Sequence, residues 1–267
     1  MTDVLSVSIQ DGVADVRLNR PDKMNAINNE LFDALIDTAA MLDSERSVRA
    51  VVMSGEGRAF CAGLDMSLFA AMANADSSEG KLERLTDRTH GIANRPQQAV
   101  WGWRSLRVPV IAAVHGAALG GGFQIMLGSD MRLVHPETKL SILEIKWGLV
   151  PDMAGTPIMR ALARDDVLRE LTYTGRVFSG EEAKEYGFAT HLSETPRERA
   201  LELAAEIVAK SPDAVQAAKA LLNTVSHDDA ATLLLRESEL QEPLIGSPNQ
   251  LEAIAAGMEG RVGNFRD

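Results

Sequence analysis

The sequence predicts an α/β fold with a helical C-terminal part, and three features carry that reading. Strand-like and helix-like stretches alternate as far as about residue 195. Beyond it helical stretches stand alone, cut by Pro212, Pro243 and Pro248. Between them, residues 111–130 pass from the apolar Ile111–Val114 through small residues and three consecutive glycines, Gly120, Gly121 and Gly122, into the amphipathic Phe123–Leu127. That order is a buried strand, a glycine turn and a helix start. The change near 195–205 is one of composition, not a linker, so the chain divides into an α/β core at 1–200 and a helical part at 201–267.

Each element has its own signal. Val4 to Leu18 alternates about a turn at Asp11-Gly12, which predicts a hairpin of half-buried strands. Asn19 to Ala26 is a polar loop broken by Pro21. Asn28 is placed to cap a helix through Leu42, with Leu31, Ala34, Leu35, Thr38 and Leu42 on one face. Arg49 to Gly55 reads as a buried strand, followed by a glycine loop to Asp65. Residues 66–80 are small and polar, the expected mobile region, and a helix is expected from about Leu82 to Leu106, ending before Pro109. Short strands are expected at Met131–Val134 and Lys139–Ile142 around a turn at Pro136. Helices follow at roughly 154–163 and within 166–189, where Ser179-Gly180-Glu181-Glu182 is a capping pattern. The last helices are expected at 196–209, 212–225, 227–240 and 248–259.

Composition narrows the function classes. With 45% hydrophobic residues in 267, the chain can bury a large core. The net charge of −11 argues against nucleic acid and anionic membrane as partners. No apolar run approaches a membrane span, and the N-terminus lacks the pattern of a signal peptide. The single cysteine, Cys61, excludes an intramolecular disulfide and points to a reducing, cytoplasmic setting.

Two glycine stretches can present backbone N–H groups. A glycine turn ahead of a helix leaves bare amides at the helix N-terminus, where they can hold a negative oxygen. The triple glycine fits neither G-x-G-x-x-G nor a P-loop, so a phosphate role is disfavoured; tight helix–strand packing is the alternative. Ala59 to Asp65 is either a ligand-binding turn with Gly63 at its centre or an ordinary loop after a strand. Glu144 is a lone acid in an apolar stretch, and burial would suit it to proton transfer near neutral pH. Asp152 is a second candidate, with helix capping as its alternative. Asp130 and Arg132 read as structural, His115 as a packed residue, and Cys61 as a nucleophile only if a base lies beside it. The five histidines show no metal-ligand spacing, so no metal is expected. A substrate pocket, if present, is expected to draw on 66–105 and on Trp101, Trp103 and Trp147.

Together these stretches resemble the crotonase superfamily of enoyl-CoA hydratases and isomerases. The resemblance rests on Asn19-Arg20-Pro21 with Asn25-Ala26, Arg58 to Asp65, Pro109 to Gly122, Gly148 to Pro151, and a tail from Glu252 through Phe265. It implies ββα units forming two roughly perpendicular sheets, a helical trimerisation part, and a homotrimer or dimer of trimers. It implies a coenzyme A thioester as substrate, with no cofactor beyond that CoA moiety. The thioester oxygen would be held by the N–H groups of Leu64 and Gly121, and the CoA by Met24, Ala26, Ala62, Gly63, Leu64 and Asp65. Hydratases of the two-glutamate type carry one acid at the position of Glu144 and another just after the triple glycine, where this chain has Gln124. Glutamine can orient a water but cannot take its proton. Asp152 matches an acid kept by some isomerases, including dienoyl-CoA isomerases, although those also have an acid where Gln124 stands. The expectation is an enzyme of acyl-CoA thioesters using Glu144 and Asp152, leaning to double-bond isomerisation over hydration. A non-catalytic acyl-CoA-binding oligomer is the alternative.

Overall fold

A computed structural model describes residues 4–68, 85–224 and 247–266. The chain opens with the expected hairpin, β1 (Leu5–Gln10) and β2 (Val13–Leu18), in register from Leu5 opposite Leu18 to Gln10 opposite Val13. Helix α1 (Asn29–Ser44) follows; its cap is Asn28, whose side chain accepts the Leu31 N–H at 2.9 Å. Leu31, Leu35 and Leu42 are fully buried along one face, as the periodicity requires. Next come β3 (Ala50–Gly55), α2 (Arg95–Ser105), β4 (Val110–Val114), β5 (Ala117–Leu119), α3 (Gly121–Leu127), β6 (Met131–Val134) and β7 (Lys139–Ser141). The remainder holds α4 (Gly155–Met159), α5 (Asp165–Thr174), α6 (Gly180–Tyr186), β8 (His191–Leu192), α7 (Pro196–Val208), α8 (Pro212–Thr224) and α9 (Pro248–Glu259).

Among the described residues the strands form two sheets. Six run in the order β1-β2-β3-β4-β6-β8, antiparallel at β1–β2 and parallel at every other pairing. β5 and β7 pair parallel in a small second sheet. Strands β3 and β4 are buried almost throughout, because both faces of the large sheet are covered. Their residues alternate between two cores. Ala50, Val52, Ile111 and Ala113 face Ala200 and Ala204 of α7, while Val51, Met53, Val110, Ala112 and Val114 join the main core with α1, α2 and α3. Residues 200 and 201, where composition divides the chain, both lie within α7.

Several expectations are corrected. Helix α2 begins at Arg95, not near Leu82, because Asn94 and Gln97 form a capping box and Pro96 occupies the first turn. Residues 85–94 make turns instead, and the stretch 69–84, with most of the expected mobile region, lies outside the described residues. The strands around Pro136 are not partners. β6 joins the large sheet and β7 the small one, so the turn between them is a crossover. The helix expected to run to Ala163 ends at Met159, where Ala161 and Leu162 donate to Ile158 and Met159 in tighter i to i−3 bonds. β5 was not expected at all. The helix expected at 227–240 lies outside the described residues.

Candidate active site

The two glycine stretches meet. The loop after β3 is stitched to the segment around β5: Phe60 N–H donates to His115 O at 2.9 Å, Cys61 N–H to Ala117 O at 3.0 Å, and Leu119 N–H returns to Cys61 O at 3.1 Å. On its other side the loop pairs with residues 24–27. Ala62 N–H donates to Met24 O, Ile27 N–H to Gly63 O and Asp65 N–H to Ile27 O, all within 2.8–2.9 Å. Met24, Ala26, Ala62, Gly63, Leu64 and Asp65 thus share one neighbourhood. Gly63 is required there. Its φ is +94°, and a Cβ on it would lie 2.7 Å from Leu119 O and 3.9 Å from the Gly121 nitrogen. Gly122 is required by contact alone, since its Cβ would fall 2.3 Å from Cys61 O.

These contacts bring the Gly63-Leu64 turn against the first turn of α3. Among the described residues neither Leu64 N–H nor Gly121 N–H has an acceptor within the chain. Gly121 N–H is one of the amides a helix leaves unpaired at its start. The helix dipole makes that end attractive to a negative oxygen.

Glu144 lies against the same glycine turn, at Gly120. Glu144 opens a short 3-10 turn, Glu144–Trp147, beyond β7. Its Oε1 lies 3.5 Å from where a Cβ on Gly120 would stand. Gln124, 1% exposed in the body of α3, donates its Nε2 to Glu144 Oε1 at 2.6 Å. The other end of the same amide accepts two backbone N–H groups, Met153 at 2.9 Å and Gly155 at 3.0 Å. Glu144 Oε2 is buried without a partner among the described residues. Burial raises the Glu144 carboxyl above its ordinary range; the Asp152 charge adds to this, while Gln124 and the backbone amides of Glu144 and Leu143 oppose it. Asp152 is exposed to solvent, yet neighbouring protein removes enough water from its carboxyl to raise it as well. It is not a helix cap. The cap of α4 is Ala154, left-handed at φ 63°, with no side-chain bond.

Other candidates lie elsewhere. The Cys61 thiol is fully buried, bonds to Asn25 O at 3.1 Å, and is pushed up to about 12 by burial, so it is no nucleophile. His115 Nε2 lies 2.9 Å from Gly57 O, a packing contact. Trp103 is fully buried in the main core rather than lining a pocket; Trp101 is half-buried and Trp147 exposed. Asp130 and Arg132 are structural as expected, Arg132 donating to Phe188 O at 2.6 Å and Ser129 O at 2.7 Å. Among the described residues no group of three His, Cys, Asp or Glu could hold a metal ion, and no helix is long and apolar enough to cross a membrane.

Comparison with known proteins decides the family. The sequence profile for enoyl-CoA hydratase/isomerase matches residues 8–267. The chain belongs to the enoyl-CoA hydratase/isomerase family. Its similarity to the human mitochondrial enoyl-CoA hydratase domain-containing protein 2 is 30% identity over 261 residues, covering 95% of this chain and 85% of that protein. To the mouse mitochondrial methylglutaconyl-CoA hydratase it is 29% over 262 residues, covering 96% and 80%. A solved enoyl-CoA hydratase from Bacillus anthracis superposes with a TM-score of 0.87 at 28% identity, covering 98% of each chain. The crotonase resemblance and the α/β class read from the sequence are both borne out.

Within this family member, sequence reasoning missed the residues that hold the site in shape. Asn25 is fully buried: its Oδ1 accepts Arg20 N–H at 2.8 Å and its Nδ2 donates to Glu56 O and Ala59 O at 2.9 and 2.8 Å. Arg20 reaches Ala26 O and pairs with Asp65 at 3.0 Å. Burial would raise the Asp65 carboxyl, but Ser67 and Arg20 outweigh it and hold it below its usual value. The place of Asn25 and Arg20 in the family-like Asn19–Ala26 stretch was the one signal pointing to them.

Proposed function

We propose that the chain catalyses proton transfer on acyl-CoA thioesters through an enolate, and that it moves double bonds in preference to adding water. In this reading Leu64 and Gly121 N–H hold the thioester oxygen, and Glu144 takes a proton from the acyl chain. The C–H electron pair then moves into the new C=C bond as the carbonyl pair moves onto oxygen. Two preset donors stabilise that charge, and one such donor typically contributes roughly 2.7–4 kcal/mol. Asp152, in its protonated form, gives a proton to another carbon as the carbonyl re-forms; Glu144 then releases the proton it took and Asp152 regains one, both by exchange with solvent. Met24, Ala26 and Ala62 to Asp65 would hold the CoA moiety, and the chain would work as a trimer or dimer of trimers.

The observation that carries the preference is the state of Gln124. Both lone pairs of its Oε1 are occupied by Met153 and Gly155 N–H, and its Nε2 is turned to Glu144. It has no acceptor left for a proton of attacking water. That leaves Glu144 as the sole carboxylate of the hydratase pair, with Asp152 as its partner. The test is to assay crotonyl-CoA, a 3-enoyl-CoA and a 3,5-dienoyl-CoA with wild type, Glu144→Gln and Asp152→Asn. Isomerisation faster than hydration, and lost in both variants, is expected. Fast crotonyl-CoA hydration untouched by Asp152→Asn would overturn the preference.

A further inference from the structure

We infer that Gln124 is a positioning residue that ties the two carboxylates into one unit, donating to Glu144 while clamping the backbone turn that directly follows Asp152. The inference rests on the enolate reading above, but the clamp can be measured without turnover. Three bonds define it: Nε2 to Glu144 Oε1 at 2.6 Å, and Oε1 from Met153 N–H at 2.9 Å and Gly155 N–H at 3.0 Å. The two backbone donors dictate which end of the amide is oxygen, so its N–H must face Glu144. Between those donors sits Ala154 at φ +63°, a backbone region that a residue with a Cβ avoids unless its surroundings hold it there. Gly155 packs so closely that a Cβ on it would lie 2.6 Å from Gln124 Oε1. The turn and the amide are therefore fitted to each other, and the turn begins one residue after Asp152.

The clamp also governs the proton on Glu144. Among the described residues, Asp152 is the ionisable group whose charge raises Glu144, while the Gln124 amide and the backbone amides of Glu144 and Leu143 lower it. An amide N–H can only stabilise the carboxylate form. A glutamate at 124 could accept the same two backbone bonds, but its second oxygen would meet Glu144 Oε1 at the 2.6 Å now taken by an N–H. One proton would then have to be shared between the two acids.

The experiment compares Gln124→Ala, Gln124→Glu, and Gln124→Ala combined with Ala154→Gly in the full-length protein. Turnover of a 3-enoyl-CoA gives kcat, KM and the pH profile. Carbon-13 NMR follows the Glu144 carboxyl, and hydrogen exchange follows the Met153 and Gly155 amides. Gln124→Ala should lower kcat about 30-fold with KM within about twofold, and should speed exchange at both amides. Adding Ala154→Gly should restore about tenfold of the loss, because glycine holds the left-handed turn unaided. Gln124→Glu keeps shape and backbone bonds, so it decides the matter if Gln124→Ala does not fold. It should move the Glu144 titration and the acid limb upward by about one pH unit. Unchanged exchange in Gln124→Ala, or an unmoved Glu144 titration in Gln124→Glu, overturns the clamp. If wild type turns over no thioester, the functional reading falls while exchange and titration still decide this one.

Discussion

At the C-terminal end of α3, polar groups are matched inside the chain. Asp130 accepts Val110 N–H and Lys219 Nζ, both at 2.8 Å, and faces Arg104 at 3.5 Å. Lys219, 5% exposed, also donates to Val108 O at 2.8 Å, so α8 is pinned to the large sheet. At the N-terminal end, one short helix away, the matching is incomplete. Gly121 and Leu64 N–H lack acceptors among the described residues, and Glu144 Oε2 is buried without a partner. Buried polar groups left unmatched cost stability, roughly 1–3 kcal/mol each. We read the unmatched end as the one that meets a ligand, since two backbone donors and a buried carboxylate oxygen are unpaired side by side there. The proposed site therefore lies at the start of α3, and the equally polar cluster at its end is structural.

The contrast can be broken from either side, and the largest effect is expected at Glu144. Glu144→Gln should lower kcat about 10³-fold, with thioester binding retained in a direct titration. Loss of binding with catalysis intact would instead make Glu144 a substrate contact. In the wild type, activity should rise with pH along an acid limb above the usual carboxylate range, because burial raises Glu144 and the base must be ionised.

Gly122→Ala comes next. Its Cβ would meet the carbonyl of Cys61 at 2.3 Å, and that backbone cannot move without carrying the Gly63-Leu64 turn with it. A fall in kcat of about 10²-fold is expected, the scale of one lost oxyanion donor, read by steady-state kinetics on folded protein.

Lys219→Met probes the other end. It leaves Asp130 with Val110 N–H and Arg104 but without its buried cation. Urea unfolding should show a loss of about 2 kcal/mol. Activity per folded molecule should be unchanged, which would separate the structural end from the functional one.

The smallest effect runs the other way. The Glu144 carboxyl is raised in the folded chain. Its contribution to stability is therefore present below its unfolded-state value and lost as pH rises through the folded one. Glu144→Gln removes that loss, so the variant should melt about 2 °C above wild type at pH 7 while matching it near pH 4. Equal melting at both pH values would place Glu144 in a more solvated setting than the structure gives it.

Much of this organisation was legible in the sequence, for identifiable reasons. The hairpin, α1 with its Asn28 cap, and the Ser179–Glu182 capping box follow from local periodicity and hydrogen-bonding chemistry. The strand–glycine–helix order drew attention to Gly121 because that signal is contiguous. β5 was hidden because Ala117 and Ala118 carry no strand preference; the strand exists through its pairing with β7, some twenty residues on. The true start of α2 was masked by apolar residues that continue the helical period upstream of Pro96. Gln124 was visible as a departure from a two-acid pattern, but not as a clamp. Its partners at 144, 153 and 155 become neighbours only when α3, the 3-10 turn and the start of α4 are packed together.

The most direct measurement of the central claim is solvent deuterium exchange into a saturated or 3-enoyl acyl-CoA, followed by mass spectrometry. Enolate formation at the start of α3 predicts that wild type incorporates deuterium next to the thioester. Asp152→Asn should keep that exchange while losing double-bond movement, and Glu144→Gln should abolish it. Exchange that survives Glu144→Gln, or its absence in wild type bound to the thioester, would contradict the account.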